Sequence, residues 1–510
     1  MDKDLDQLRT EIDAIDKKIL AAFEERIAIS RRIGNYKKSI GKDVLDRGRE
    51  AFKLDDLEKL AGFESRQYVR ELYGVIFRTS REHQLKESFG VLGRSLPHTY
   101  SPEIHSIMAP EYSYSVIERE PEELDALFAS KVYKGFNVTI PYKIEAYKRC
   151  DVLDDAAKEI GSVNTVVFKD GKAYGYNTDC YGFIYMMRKA GIDPKGKKVL
   201  ILGNGGAAAA VVYALKQSGA GLIRSCGRKA EINYENVYDL AADTEIIVNC
   251  TPVGMYPTVD ESLLDLSRFP ALEACLDLVY NPSRTRFLQQ AEDRGLKTAG
   301  GLSMLVAQAY KAGRYFIGDI EAAERIDTDA EALIEKVTDI LQSKMRNVTI
   351  IGMPGSGKTN LGRYIANLTG RKFVDLDFAY AERFGELPAE TITRDGEEKF
   401  RLNETEVAKE YLTESGLIIS CGGGIITQER NIPYLRYNSN VIYLKRPLEM
   451  LAGGPGRPIT ARDGVEKLYE QRKDKYEKAS DYEVSIPEFD DKADFMSEAV
   501  EDLRKAGLHI

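Results

Sequence analysis

Histidine is scarce in this chain of 510 residues, with four in all, so its chemistry does not lean heavily on imidazole. The six cysteines, at positions 150, 180, 226, 250, 275 and 421, show no C-x-x-C spacing and no matching histidines. That argues against a zinc site and against a disulfide framework. No low-complexity tract is present. The longest uncharged run, residues 199–215, is broken by glycines and an asparagine and is too short to span a bilayer comfortably. The N-terminus is charged from Asp2 onward, so no signal peptide is expected. A soluble, cytoplasmic protein without a membrane partner is therefore expected. The net charge of −9 comes with no extended basic stretch, which excludes a general nucleic-acid binder but leaves small anionic ligands open.

What is present reads as globular protein, 43% apolar and 30% charged, long enough for roughly three domains. Residues 1–88 lack proline and read as helix throughout. From residue 89 short β-branched runs alternate with helical stretches, the texture of α/β units. A charged helical stretch over 321–344 is open between a closing helix of this second region and a linker. At Asn347 a new strand, NVTIIG, begins another α/β unit. The expected limits are 1–88, 89–345 (a first lobe at 89–190 plus C-terminal helices, a second at 191–300) and 346–510.

In the first segment Leu5, Leu8, Ile12, Ile15, Ile19, Ala22, Ile29, Ile33 and Tyr36 follow spacings of three and four. That predicts one long helix with a continuous apolar seam. Residue 26 falls on the seam and is Arg26. A buried charge must be paired or serve a ligand; the alternative is a surface arginine on a slightly rotated helix. Lys37 lies close to three turns beyond and shares its face, whereas Arg9 is about 100° around the axis and roughly 25 Å away. Asp46, Arg49 and Glu50 sit at i, i+3 and i+4, and Ser80 and Gln84 form another such pair. The runs LRTEIDAIDKKILAAFEERIAISRRIGNYKK, DRGRE and SREHQ resemble the all-helical chorismate mutases. The resemblance implies a polar pocket of Arg9, Arg26, Lys37, Asp46, Arg49, Glu50, Ser80 and Gln84. It also implies an intertwined homodimer in which Arg9 crosses into the neighbour's pocket. Lys37 and Gln84 are the implied donors to the ether oxygen as chorismate rearranges to prephenate.

In the middle segment the strand KVLIL runs into GNGGAA and an apolar helix. Gly203, Gly205 and Ala208 fit the G-x-G-x-x-G/A turn, in which glycines admit a pyrophosphate and a helix N-terminus faces it. Gly206 and Ala207 belong to the same turn. After the next strand comes Arg228, where an NAD site usually has an acid and an NADP site an arginine. The motifs LPHTYSPEIH, GFNVTIPYK, GSVNT, GYNTD, DLVYNPSRT and GLSMLVAQA resemble shikimate dehydrogenase across 89–320. The resemblance implies a two-lobed α/β fold, NADPH, a catalytic Lys143 with Asp179, and substrate contacts from Asn164, Thr139 and Gln308. Tyr280 and Gly301 match further positions of the cleft. Thr99 stands where the family commonly has the first of two serines, the second being Ser101. A hydroxyl donor survives, so altered affinity is expected, not lost activity.

The last segment holds GMPGSGKT at 352–359 between a strand and a helix, a complete phosphate-binding loop. Pro354 shapes the loop, and the backbone amides of Gly355, Ser356 and Gly357 would surround the phosphates; Lys358 reaches them and Thr359 ligates Mg²⁺. The runs VDLDFAYAERFG, EEKFRLNE, CGGG, GRPI and RKDKY resemble shikimate kinase over 346–510. The resemblance implies Asp377 on the acceptor hydroxyls, Asp375 toward the metal, and Arg401 and Arg472 on the carboxylate. It places Gly422, Gly423 and Gly424 along the ring and Arg457 in a lid over ATP. The usual lid arginine that stacks on adenine is missing between Arg446 and Arg457, and Met450 is the apolar substitute expected there.

The expected whole is multidomain, with an all-α domain, a two-lobed α/β dehydrogenase and an α/β P-loop kinase. A rival class, a metabolite sensor built from retired enzyme domains, should have lost catalytic groups first. Lys37, Glu50, Lys143, Asp179, Lys358 and Asp377 all remain.

Overall fold

A computed structural model describes residues 2–39, 47–62, 65–85, 88–97, 99–109, 112–451, 458–485 and 492–510. The chain divides into two compact units, Met1–Cys180 with Gln308–Ala330, and Tyr181–Ala307 with Glu331–Ile510. Among the described residues no helix is long and apolar enough to cross a membrane.

The first unit opens with α1 (Asp2–Ser39), α2 (Arg47–Leu60) and α3 (Arg66–Leu85). The long helix is as expected, but its buried face is offset from the apolar seam. Ile27, Ser30 and Gly34 are buried, with Phe23 and Arg26 half-buried beside them, and α1 packs on α3. Leu8, Ile12, Ile15 and Ile19 on the seam are each more than half exposed. Two stripes therefore run along α1, and Arg26 sits where they meet.

Beyond the helices this unit builds a six-stranded mixed sheet. Its strands are β1 (Ser88–Gly93), β2 (Ser113–Glu118), β3 (Gly135–Val138), β4 (Val152–Leu153), β5 (Thr165–Lys169) and β6 (Lys172–Tyr176), in the order β2-β1-β3-β5-β6-β4. β1 pairs in parallel with β2 and β3, and β5 runs antiparallel to β3 and β6. Leu92, Phe136, Val138 and Val166 form the core beneath it.

The second unit holds two parallel five-stranded sheets. One contains β7 (Lys198–Leu202), β8 (Leu222–Cys226), β9 (Ile246–Asn249), β10 (Ala274–Asp277) and β11 (Lys297–Gly300), in the order β11-β10-β9-β7-β8. The other contains β12 (Asn347–Ile351), β13 (Phe373–Asp375), β14 (Ile418–Ser420), β15 (Ser439–Lys445) and β16 (Tyr482–Ser485), in the order β13-β14-β12-β15-β16. Strands covered on both faces read as near-continuous apolar runs. Accordingly β12 is buried along its whole length and β7 everywhere but its first residue. The stretch left open over 321–344 is largely helical, Ile320–Ala323 and then Thr328–Met345, the latter leading straight into β12.

The two sheets of this unit are tied together by polar contacts. Arg436 Nη1 donates to Asp293 Oδ1 at 2.6 Å, Gln289 Nε2 to the Pro433 carbonyl at 3.2 Å, and Ser415 Oγ to Asn281 Oδ1 at 3.0 Å.

Candidate active sites

In the helical segment α1 and α3 bring Arg26 and Ser80 together. The Arg26 guanidinium donates to Ser80 Oγ and lies 5.3 Å from the Phe77 ring centroid. Ser80 Oγ donates in turn to the Ile76 carbonyl at 2.7 Å. Burial draws the Arg26 pKa down, against the opposing fields of Tyr73 and Glu50. Arg26 and Glu50 are both half-buried. Arg9 is exposed on α1, Lys37 half-buried near its end, and Arg49 exposed on α2. Asp46 lies outside the described residues, and so does the side chain of Gln84, whose backbone belongs to α3.

In the mixed-sheet lobe the predicted Lys143 and Asp179 meet. Lys143 Nζ donates to Asp179 Oδ2 at 2.5 Å, with both side chains largely buried. Each opens a helix, Lys143–Arg149 and Asp179–Lys189. A carboxylate at a helix start is favoured by the dipole and the free amides there. Asn164, just before β5, donates from Nδ2 to Asp179 Oδ1 at 2.8 Å and to Thr178 Oγ1 at 3.0 Å. Thr178 Oγ1 also lies 3.4 Å from Gln308 Oε1. Thr178, fully buried, thereby links two predicted substrate residues and was itself not singled out by sequence, although it sits inside GYNTD. Ser101 N donates to Thr99 Oγ1 at 3.3 Å, so those two predicted positions adjoin. Thr139 is half-buried at the end of β3, its amide bonded to the Leu92 carbonyl at 2.9 Å. Beneath the lobe His105 is wholly buried against Tyr112 and Asn137, and burial pushes its pKa down to about 3, so it is a neutral packing group.

In the second unit β7 ends at Leu202 and Gly203 turns with φ +100°. A Cβ there would come 2.9 Å from Thr251 Cγ2, so glycine is required twice over. Gly205 caps the helix Gly206–Gln217, which carries Ala207 and Ala208 in its first turn, and a Cβ on Gly205 or Gly206 would meet open space. The turn thus leaves room for a pyrophosphate over a helix N-terminus. Arg228 is exposed two residues beyond β8. Asp277, at the end of β10, is buried and receives hydrogen bonds from Asn249, Val279 and Thr285. Tyr280 and Gly301 lie nearby in this unit and line a common cavity.

The phosphate-binding loop opens a cavity of about 500 Å³ that also receives Asp375, Asp377, Arg401, Gly422, Gly423, Gly424 and Arg472. Gly357, with φ +100°, caps the helix Lys358–Thr369. Lys358 Nζ donates to the Gly352 and Met353 carbonyls at 3.0 and 2.9 Å. Thr359 Oγ1 donates to Asp375 Oδ2 at 2.7 Å, an oxygen-only pair of the kind a hard divalent cation takes. A Cβ on Gly424 would fall 2.2 Å from an Arg401 nitrogen, and one on Gly423 2.7 Å from Pro354. The glycine run is thus enforced by the site around it. Arg472 Nη1 donates to the Gly423 carbonyl at 3.0 Å.

Sequence reasoning missed Glu404 and Arg446 in this cavity. Arg401 Nη1 donates to Glu404 Oε2 at 2.7 Å, while Glu404 Oε1 and Arg401 Nε have no hydrogen-bond partner among the described residues. Burial raises the Glu404 pKa, with Arg401 offsetting part of the effect. Arg446 Nη1 donates to the Gly355 carbonyl at 3.0 Å. The i, i+3 spacing of Arg401 and Glu404 was the available signal. Arg457 lies outside the described residues, and Met450 is half-buried.

Three family profiles match the chain in succession. They are chorismate mutase type II over residues 8–85, the shikimate dehydrogenase substrate binding domain over 91–166, and shikimate kinase over 354–504. A shikimate dehydrogenase (NADP(+)) of Clostridium beijerinckii is 38% identical over 246 residues, which is 44% of this chain and 90% of that protein. One of Dehalococcoides mccartyi is 37% identical over 247 residues, 43% of this chain and 86% of its own. A chorismate mutase/shikimate 5-dehydrogenase fusion protein from Clostridium acetobutylicum, solved as a crystal structure, is 32% identical. It matches with a TM-score of 0.46 over 51% of this chain and 98% of its own.

Proposed function

The chain belongs to the shikimate dehydrogenase family, and from that premise we propose how its three enzyme segments divide the work. It is a trifunctional enzyme of the shikimate pathway, with chorismate mutase, NADP-dependent shikimate dehydrogenase and shikimate kinase joined in one polypeptide. The segments are assigned as 1–88, 89–345 and 346–510.

When bound, NADPH supplies the hydride and ATP the phosphoryl group. In the dehydrogenase, Lys143 gives a proton to the alkoxide forming at the ketone of 3-dehydroshikimate, and Asp179 holds the ammonium in place. Asn164, Gln308, Thr139, Thr99 and Ser101 orient the substrate; Gly203, Gly205, Gly206, Ala207, Arg228 and Gly301 receive the dinucleotide, and Tyr280 faces the cleft. In the kinase, Arg401 and Arg472 grip the shikimate carboxylate with planar guanidiniums. Asp377 takes the proton of the attacking hydroxyl. Lys358 exchanges its loop carbonyls for phosphate oxygens, and Arg457 stabilises the transferring group. Thr359 and Asp375 would hold Mg²⁺. In the mutase, Arg26, Arg49 and Arg9 fold the dianionic chorismate into its reactive conformer while Lys37 and Gln84 stabilise the ether oxygen.

The exposed stripe of Leu8, Ile12, Ile15 and Ile19, which a second copy would cover, supports a homodimer through the helical segment. Arg9, remote from Arg26 along the same helix, would then serve the neighbour's pocket.

The observation that carries the reading is the Lys143–Asp179–Asn164 network, which aligns a proton donor with substrate-binding amides. The test is three separate assays on purified protein carrying Lys37→Ala, Lys143→Ala or Lys358→Ala. Each change should abolish one activity and spare the other two. A protein that binds all three substrates and turns over none would be a sensor instead.

A further inference from the structure

A cavity of about 490 Å³ lies in the second unit where the dinucleotide lobe, the helix Thr328–Met345 and the kinase segment meet. That volume is in the range of small-molecule sites, roughly 300–1,000 Å³. It is separate from the kinase cavity, with which it shares no lining residue.

Its wall carries three cations, Lys189, Arg284 and Arg346, and one carboxylate, Glu292; from outside the wall Glu335 lies 3.6 Å from Lys189 and Asp481 3.9 Å from Arg284. Glu292 is divided between two arginines, 2.8 Å from Arg284 Nη2 and 3.0 Å from Arg436 Nη2. The hydrogen bonds of the Arg346 side chain go to neutral groups, Asn440 Oδ1 at 2.8 Å and Ser283 Oγ at 3.4 Å. Burial lowers the Arg346 pKa; Asp481 opposes this and Arg284 adds to it. The guanidinium is thus kept where a cation is disfavoured, without a carboxylate of its own, and an anion in the cavity would relieve it.

The same cavity takes in Gly301, Leu302 and Ser303. These open the helix Leu302–Phe316, whose first amides have no acceptor within the helix. Amides at a helix start and planar guanidiniums are complementary to tetrahedral oxyanions.

We propose that this cavity binds a small phosphate-bearing anion that is neither substrate nor cofactor of the three reactions. The ligand would bridge the dehydrogenase and kinase segments. Arg284 N donates to the Tyr437 carbonyl at 3.0 Å, so the loop bearing one arginine is already fastened to the kinase side. Gly301, assigned above to the dinucleotide, and Tyr280 stand on the same wall, so NADP is kept at saturation in the test.

Calorimetric titration of the full chain with inorganic pyrophosphate tests the site, with NADP and ADP present at saturation to fill both nucleotide pockets. The wild-type chain should bind pyrophosphate. Gln342→Glu, which sets a carboxylate on the wall, and Arg346→Gln should each weaken binding by about tenfold or more. Neither variant should lose dehydrogenase or kinase turnover. If Arg346→Gln does not fold, Gln342→Glu decides. Absence of binding, or undiminished binding in Gln342→Glu, overturns the proposal whether or not the activities are as assigned.

Discussion

Arg401 and Glu404 lie one turn apart on a single helix and form an ion pair of 2.7 Å with both side chains buried. Glu397, partly exposed, reaches the same guanidinium at 3.3 Å. Removing one member of a fully buried pair costs about 3 kcal/mol or more, and the Glu397 contact, being partly exposed, offsets only part of that. Glu404→Ala should therefore lower kinase-segment stability by that order in urea melts. The shikimate KM should rise with it, while dehydrogenase turnover stays unchanged.

For the Lys143–Asp179 pair the expectation concerns the chemical step. Lys143→Ala should reduce dehydrogenase kcat by roughly 10²–10⁴-fold, the usual worth of a positioned acid. Asp179→Asn keeps the shape of the carboxyl and loses its charge, so its loss should be smaller. Steady-state kinetics at saturating NADPH separates the two, and equal loss in both would contradict a positioning role for Asp179.

Asp277 makes stability depend on pH. Burial pushes its pKa from 3.8 up to about 7, with bonds from Thr285, Val279 and Asn249 opposing. The folded state then holds this proton more tightly than the unfolded state does. Its contribution is therefore fully present below about pH 4 and is lost as pH rises toward about 7. Asn at 277 retains the Oδ1 acceptor, and the Thr285 hydroxyl can turn to accept from the new amide. Denaturation of Asp277→Asn across that window should show this fall removed.

A charge on the exposed stripe of α1 tests the dimer. Ile15 is 53% exposed, so Ile15→Glu should leave an isolated chain folded. In a dimer it would bury an unpaired carboxylate. Sedimentation should show the shift to monomer, with mutase activity lost and the other two activities intact. A variant that still sediments with the wild type would place the dimer contact elsewhere.

Much of this was legible in one dimension. The phosphate-binding loop, the Gly203 turn and the long α1 are contiguous, and their geometry follows from backbone conformation and helical period alone. Lys143 and Asp179, 36 residues apart, were matched only through family motifs, and the fold then set them 2.5 Å from one another. Tertiary structure alone decided that Thr178 links Asn164 to Gln308 and that Glu404 backs Arg401. It decided also that α1 buries the face of Ile27 and Ser30 while the predicted seam stays open, and that Arg284 and Arg346 share one cavity wall. The reason is physical: a local motif carries its own geometry, whereas a partner distant in sequence is selected by packing, which no spacing along the chain encodes.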